Sequence, residues 1–139
     1  MVTRSPRRIK ARIKVTRVKR KDLSELNRFY ETVEAWLPIH FETGPYYCVK
    51  VDGKIVSAAG VRFVTPQIAN VANVFTDEAY RNRGFATACT STLAWHLALT
   101  GRIVTLMVEE DNAPAIHIYE KLGFKKVRNI SLMFNILHK

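Results

Sequence analysis

The sequence predicts a single α/β domain (an α+β mixed sheet) in which the elements follow the order β-α-β-β-β-α-β-α-β. Three observations lead to this prediction. The chain has 139 residues, 47% hydrophobic and 24% charged, which suits one globular domain with its own core. β-rich segments occupy its middle. Segments of helical character then alternate with apolar runs in its second half, as in a strand-helix-strand crossover.

The first strand is predicted at residues 8–18, after a flexible basic tail at residues 1–7. Between Ile9 and Val15, apolar residues alternate with cations, and this period of two indicates a half-buried strand. The first seven residues lack the alternation. The predicted domain therefore covers residues 8–139.

The first helix is predicted from Asp22 to about Trp36. Asp22 and Glu25 have the spacing of a capping box. Apolar residues then recur at helical spacing, and the pattern ends before Pro38, which cannot continue a helix.

Antiparallel strands are predicted next. The dipeptide Asp52-Gly53 lies between two β-rich runs, which is the strongest short-range signal for a hairpin. Pro66 marks another turn, and one more strand is expected through Thr76.

The pattern then changes to the crossover. A helix is predicted at residues 84–100, an apolar strand at residues 102–108 and a second helix from the N-cap Asn112, and a glycine follows each helix as a C-cap. One or two closing strands are expected at residues 125–137.

The positive charge is concentrated at the N-terminus. Residues 1–21 hold ten Lys or Arg and no acid, whereas residues 22–139 hold twelve of each sign, so the net charge of +10 belongs to the first segment. A basic arm of this kind points to nucleic acid, an acidic partner or an anionic surface. The alternative is a solvated face that only keeps the protein in solution.

The cysteines and apolar segments exclude several classes. Cys48 and Cys89 lie far apart and form no cluster with histidine, so we expect two buried small side chains and no disulfide scaffold or metal site. A run of about 18 apolar residues, as a membrane span requires, is missing. The first residues also lack the apolar segment of a secretory signal, so a cytoplasmic protein is expected.

The segment "RNRGFA", residues 81–86, lies between a predicted strand and the start of a predicted helix. The first N–H groups of a helix lack partners and carry the positive end of its dipole, so such a junction can bind phosphate. Gly84 allows backbone angles that a side chain would forbid, and Arg81 and Arg83 add charge. Alone, this segment is weak evidence, since it is neither a Walker A nor a G-x-G-x-x-G motif.

Two residues of the second helix raise the specificity of this signal. Asn112 and Tyr119 are seven residues apart, two helical turns, so they project from nearly the same side. Ala115 lies between them and leaves room for a ligand. A phenol beside an open channel can donate a proton to a leaving group. Without the companion loop, a core tyrosine would be the simpler interpretation.

Together, these segments resemble the GNAT superfamily of N-acetyltransferases, which move an acetyl group from acetyl-coenzyme A (acetyl-CoA) to an amine. Residues 70–124 carry the resemblance. "RNRGFA" is similar to the pyrophosphate loop of the family at Arg81, Gly84 and Ala86, and "LMVEEDNAPAIHIYEKLGF" is similar to its next strand and helix. The resemblance implies the GNAT-like acyl-CoA N-acyltransferase fold.

The resemblance also implies a role for each matching residue. Main-chain groups of Val74, Phe75 and Thr76 would contact the pantetheine arm and the acetyl carbonyl. Asn112 and Tyr119 would contact the coenzyme, and Tyr119 would also be the general acid that protonates the departing thiolate. The pyrophosphate would bind to the loop at Arg81, Asn82, Arg83, Gly84, Phe85, Ala86 and Thr87.

The general base is left unassigned. In family members that acetylate N-terminal amines, a Glu in the strand before the Asn often acts through water, and Met107 stands at the nearest position here. Other candidates for the base rest on their positions alone, and for those near the end of the strand a solvated acidic turn is an equal alternative. The candidates are Glu109, Glu110, Glu34, Glu42 and His40.

The leading prediction is an acetyl-CoA-dependent N-acetyltransferase that transfers the acetyl group directly to a primary amine in a ternary complex. The acceptor would be a protein, a peptide or a small-molecule amine, and an aminoacyl-tRNA would also explain the basic arm. No metal is implied, and the protein would be a monomer or a homodimer. The alternative is a non-catalytic regulator on the same fold that binds coenzyme A (CoA) or nucleic acid.

Overall fold

The computed structural model describes residues 1–8, 12–33 and 36–127. Short 3-10 helices lie at Arg20–Asp22, Pro38–Glu42 and Glu78–Tyr80. The α-helices are α1 (Leu23–Phe29), α2 (Phe85–Leu99) and α3 (Ala113–Lys121). The strands are β1 (Val2–Thr3), β2 (Thr16–Arg17), β3 (Tyr47–Val51), β4 (Lys54–Val64), β5 (Ile68–Thr76) and β6 (Ile103–Leu106).

One mixed sheet organises the molecule, with the strand order β1-β6-β5-β4-β3-β2. β5 and β6 are parallel, and the other neighbouring pairs are antiparallel. α2 supplies the crossover that a parallel pair requires. The predicted mixed α/β fold is thereby confirmed.

The hairpin between β3 and β4 turns at Asp52-Gly53, as predicted. Asp52 has a φ of 52° and Gly53 a φ of 76°. Positive φ at both central residues defines the turn type whose twist matches that of the flanking strands, and it explains the Asp-Gly pair.

The predicted first strand at residues 8–18 is wrong over most of its described part, since only Thr16–Arg17 pair with the sheet. Residues 9–11 lie outside the described residues. Ile13 and Val15 still point inward, but they pack against the side chains of the main core instead of entering a β-ladder. An alternating pattern predicts which side chains are buried, and it does not by itself identify what buries them.

The first residues also differ from the predicted tail at 1–7. Val2–Thr3 form an edge strand on β6. The main chain of Arg7 accepts a hydrogen bond from Ser91 Oγ at 3.0 Å and donates one to the Leu122 carbonyl at 2.8 Å. We call residues 1–8 and 12–15 the N-terminal strap, because they connect this edge strand to β2 across α2.

α1 is shorter than predicted, and the capping box at Asp22 and Glu25 is wrong. Asp22 Oδ2 accepts from the backbone N–H of Lys19 at 3.1 Å, while Glu25 Oε1 accepts from the N–H of Ile55 on β4 at 2.8 Å. Both carboxylates therefore cap groups outside α1. For Glu25, a partner on a distant strand has replaced the local one that the spacing suggested.

Two apolar clusters cover the two faces of the sheet. The larger contains the buried side of α2 and the residues after α3, and the smaller lies under α1 and includes Tyr30, Trp36 and Tyr46. Cys48 and Cys89 are buried and unbridged, as predicted. Buried residues occur around most of the circumference of α2 because the strap covers the side that faces away from the sheet.

α2 and α3 begin and end close to their predicted bounds. Gly101 and Gly123, which follow them, have φ values of 84° and 96°, as expected for glycines at helix ends. Most of the closing strands predicted at residues 125–137 lies outside the described residues. Within the described part, no helix has the length and hydrophobicity needed to cross a membrane.

Candidate functional site

A cleft opens where the parallel strands β5 and β6 separate. Their pairing runs from Ile68 to Val71 on β5, and Val71 faces Leu106, the last residue of β6. β5 continues to Thr76 without β6 beside it. The main chain of its last residues is thus accessible to a ligand on that side.

A cavity of about 610 Å³ lies at this end of β5. It joins three parts of the molecule: the end of the strand, the loop that follows it, and α3. Its lining residues are Val74, Phe75, Thr76, Tyr80, Arg81, Asn82, Gly84, Phe85, Ala86, Thr87 and Ile118. Nine of the residues predicted for coenzyme binding therefore surround one cavity.

The loop before α2 has the geometry of an anion site. Asn82 has a φ of 63° and Gly84 a φ of 81°, so the chain turns sharply twice within three residues. Gly84 is the N-cap of α2, and because it has no side chain it cannot accept a hydrogen bond from the first N–H groups of the helix. The N–H groups of Phe85, Ala86 and Thr87 find no acceptor among the described residues. They line the cavity and can bind phosphate oxygens.

The two loop arginines have different positions. Arg81 Nε donates to the Thr76 carbonyl at 3.1 Å, and its guanidinium carbon lies 5.7 Å from the centre of the Phe75 ring. Arg81 therefore ties the loop to the end of β5. The guanidinium carbon of Arg83 lies 5.2 Å from the centre of the Tyr80 ring, and Arg83 is not among the lining residues.

α3 reaches the cavity through Ile118, next to Tyr119. Tyr119 is half-buried, and its ring lies edge-on to Phe124 at 6.1 Å. Burial raises the pKa of its phenol above the ordinary value of 10.0. Within the described residues, no group forms a hydrogen bond with its hydroxyl, so the predicted proton-donor role remains a prediction.

Asn112 begins α3, as its predicted role as N-cap requires. Its Oδ1 accepts from the N–H of Ala115 at 3.2 Å. The side chain is exposed and does not line the cavity. Its predicted contact with the coenzyme remains a prediction.

The suggested bases do not converge on the cavity. Glu42 accepts two hydrogen bonds from the guanidinium of Arg20, at 3.0 and 3.2 Å. His40 Nδ1 accepts from the backbone N–H of Leu37 at 3.2 Å. Glu109 and Glu110 are exposed in the turn after β6, and Glu34 lies outside the described residues. Among the described residues, no group of carboxylate, imidazole or thiol side chains is arranged to hold a metal ion.

Two lining residues, Tyr80 and Ile118, are not among those predicted from the sequence. Tyr80 immediately precedes Arg81, so its position beside the loop was an available signal. Ile118 was overlooked because the helical spacing from Asn112 pointed to Tyr119. The cavity contains a helix N-terminus without a cap at one end and accessible strand main chain at the other. These features fit a ligand with a diphosphate and an extended amide-containing arm, as in CoA.

Comparison with known proteins gives a family. The family model described as "FR47-like protein" matches residues 51–132, more than half of the chain. The mycothiol acetyltransferase of Gordonia bronchialis is 44% identical over 59 residues, which are 42% of this chain and 19% of that protein. The chain thus spans only about a fifth of this curated relative.

Two solved structures share the fold. One, from Novosphingobium aromaticivorans and assigned to the GNAT family of acetyltransferases, is 30% identical with a TM-score of 0.77, over 82% of this chain and 52% of that one. The other is an acetyltransferase with acetyl-CoA from Clostridium acetobutylicum, 16% identical with a TM-score of 0.66, over 91% of this chain and 98% of that one. At that identity the second likeness concerns the fold alone.

Proposed function

Because the chain belongs to the GNAT superfamily of acetyltransferases, we propose that it is an acetyl-CoA-dependent N-acetyltransferase whose acceptor is a primary amine. The observation that supports this most directly is the cavity that joins the uncapped start of α2 to the accessible end of β5. Bound acetyl-CoA would supply the activated acetyl group. The chain would supply its position and electrostatic surroundings.

The residues divide this work between the two ends of the cavity. The N–H groups of Phe85, Ala86 and Thr87 would bind the pyrophosphate, with Arg81 and Arg83 adding positive charge. The main chain of Val74 and the next two residues would align the pantetheine arm and stabilise the negative charge that develops on the carbonyl oxygen. Direct transfer then needs only a deprotonated amine and a proton donor for the thiolate.

Tyr119 is the proposed donor. A phenol is protonated at neutral pH, which is the form that a donor requires, and burial raises the pKa of Tyr119 further. Asn112 would contact the coenzyme at the start of α3. The cavity has no carboxylate or imidazole among its described lining residues, so the proposal assigns no general base.

Replacing Tyr119 by Phe tests the proposal. The rate of thiol release from acetyl-CoA, measured with a panel of peptide and small-molecule amines, should fall by about a hundredfold because the proton donor is lost. The affinity for CoA, measured by calorimetry, should remain, since the phosphate loop is untouched. Tyr47→Phe is the matched control, because Tyr47 is a buried tyrosine that stacks on His96 away from the cavity.

The same assay separates the enzyme from a non-catalytic regulator. A regulator would bind CoA without releasing thiol from acetyl-CoA in the presence of any acceptor. Steeply salt-dependent binding of RNA or DNA would favour a nucleic-acid partner. Thiol release that survives Tyr119→Phe unchanged would contradict the role given to this residue.

The basic N-terminal residues favour an acidic acceptor or partner. The cations are exposed on the strap and on the residues that follow it, and Arg20 pairs with Glu42. This preference is tested by measuring the transfer rates on acidic and on basic peptides, first with the wild-type protein and then with a variant in which these cations are replaced by neutral residues. The exposed cations are Arg4, Arg7, Arg8, Arg12, Lys14, Arg17, Lys19, Arg20 and Lys21.

A further inference from the structure

β5 contains a bulge at the point where it enters the cavity. Ala72 pairs with Gly60 and Phe75 pairs with Ala58, so Asn73 and Val74 together stand opposite a single residue of β4. Asn73 has a φ of 54°, in the left-handed region that non-glycine residues rarely adopt. Such a conformation persists only where its surroundings hold it.

Two fully buried tyrosines bind Asn73, one at its main-chain carbonyl and the other at its side-chain amide. Tyr30 donates its hydroxyl hydrogen to the Asn73 carbonyl at 2.5 Å. Asn73 Nδ2 donates to the hydroxyl oxygen of Tyr46 at 2.9 Å. Both rings have no exposed surface, and Tyr30 also stacks on Trp36 with ring centres 4.4 Å apart. Neither hydroxyl can therefore move far from its partner.

Gly60 makes this arrangement possible. A Cβ at that position would lie 2.0 Å from the Tyr46 ring. Because Gly60 has no side chain, the ring lies directly on β4 and its hydroxyl reaches the bulge on β5. The contact brings Tyr46, which immediately precedes β3, together with Gly60 of β4 and Asn73 of β5.

The Tyr30 hydrogen bond also sets the orientation of the next peptide group. The Asn73 carbonyl and the Val74 N–H belong to one planar trans unit, so fixing the carbonyl fixes the N–H on the opposite side. Val74 lines the cavity. The direction of its main chain there is thus determined by a tyrosine on the other face of the sheet.

We propose that Tyr30 and Tyr46 are positioning residues that hold the bulge at Asn73, so that the main chain of Val74 is correctly aimed at the acetyl carbonyl of the substrate. The proposal rests on the acetyltransferase function above. It gives two core tyrosines a role in transfer although neither lines the cavity. Their pKa values are raised by burial, that of Tyr46 to about 12, so both keep their protons through neutral pH.

The test compares Tyr30→Phe and Tyr46→Phe with Tyr47→Phe, which removes a phenol from the other cluster. We expect kcat to fall by about fivefold to tenfold in the first two variants, as for one misplaced hydrogen bond, with the KM for the acceptor amine little changed. The second readout needs no acceptor. The ratio of the CoA to the acetyl-CoA dissociation constant should fall toward one, because the aimed main chain binds the acetyl group and not the phosphates.

Asn73 itself distinguishes position from stability. A glycine at position 73 can adopt positive φ without strain, whereas an alanine favours negative φ. Asn73→Gly should therefore retain more activity than Asn73→Ala. Melting temperatures identify any variant that fails to fold, and rates are compared well below them. If the tyrosine variants keep the same kcat and the same ratio of dissociation constants as Tyr47→Phe, the positioning role is wrong. If the wild-type protein binds neither ligand, the proposed function fails, and this proposal fails with it.

Discussion

Gly53 and Gly84 have nearly the same backbone conformation and very different surroundings. Their φ values are 76° and 81°. Gly53 turns the β3–β4 hairpin in open solvent, whereas Gly84 lies at the start of α2 with Ile13 Cδ1 3.7 Å from where a Cβ would stand. Substituting each glycine in turn therefore separates the loss of stability caused by a strained backbone from the loss of ligand binding caused by a changed site.

Gly84→Ala should weaken CoA binding, while Gly53→Ala should not. Each substitution forces a side chain into a left-handed conformation, so each should lower the free energy of unfolding by about 1 kcal/mol. Only Gly84 lies where the helix N–H groups face the cavity. Calorimetric titration with CoA and thermal melting measure the two effects. Equal CoA affinity in both variants would show that the loop does not hold the pyrophosphate.

Among single residues, those of the loop before α2 were predictable and those of the bulge were not. The loop depends on residues adjacent in sequence, where Arg81 and Gly84 act within one turn. Asn73 gave no signal, because its conformation depends on Tyr30, 43 residues away, and on the missing side chain of Gly60.

Among the elements, α2 depends most on the N-terminal strap. Ser91 is buried and its hydroxyl donates to the main chain of Arg7. β1 covers the outer edge of β6, where Leu106 N–H donates to the Met1 carbonyl at 2.8 Å. These contacts use the backbone of the strap, including the N-terminal amine that donates to the Leu106 carbonyl, and the side-chain charges of the strap take no part in them.

Deleting residues 1–8 should therefore lower the melting temperature, whereas replacing Arg4, Arg7 and Arg8 by Gln should not. The deletion removes β1 and exposes apolar surface of α2, which we expect to cost about 2–4 kcal/mol of unfolding free energy. The triple Gln variant keeps the backbone contacts and should lose only its preference for acidic acceptors. A deletion that melts like the full chain would contradict the role of the strap.

At the scale of the whole molecule, buried thiols and phenols should make the folded state less stable at alkaline pH. Burial raises the pKa of Cys89 from 9.0 to about 12 and that of Tyr46 from 10.0 to about 12. The pKa values of Tyr30 and Cys48 rise for the same reason. In the unfolded chain these groups ionise at their ordinary pKa values, so the unfolded state loses protons first as the pH increases.

The free energy of unfolding should therefore decrease as the pH rises between about 9 and 12. Urea midpoints measured across this range check the prediction. Cys89→Ala should make the decrease shallower, because one titrating group is gone. Thr90→Ala is the control, since Thr90 is the buried neighbour of Cys89 in α2 and does not titrate. An equally steep decrease in Cys89→Ala would exclude Cys89 as a source.

The sequence by itself determined the features that depend on neighbours along the chain. These were the Asp52-Gly53 hairpin, the bounds of α2 and α3, the cap at Asn112 and the turn before α2 at Gly84. Each depends on a local preference: a positive φ, an N-cap side chain or a period of apolar residues. Such preferences act over a few residues and survive in almost any fold.

Only the tertiary structure decided which distant segments meet. It placed Val2–Thr3 on β6, directed Glu25 to β4 instead of a helix cap, and brought Tyr30 and Tyr46 to the bulge at Asn73. The same residue types could have satisfied their hydrogen bonds locally. The physical reason is that the lowest free energy belongs to the whole set of buried contacts, which no short segment of sequence contains.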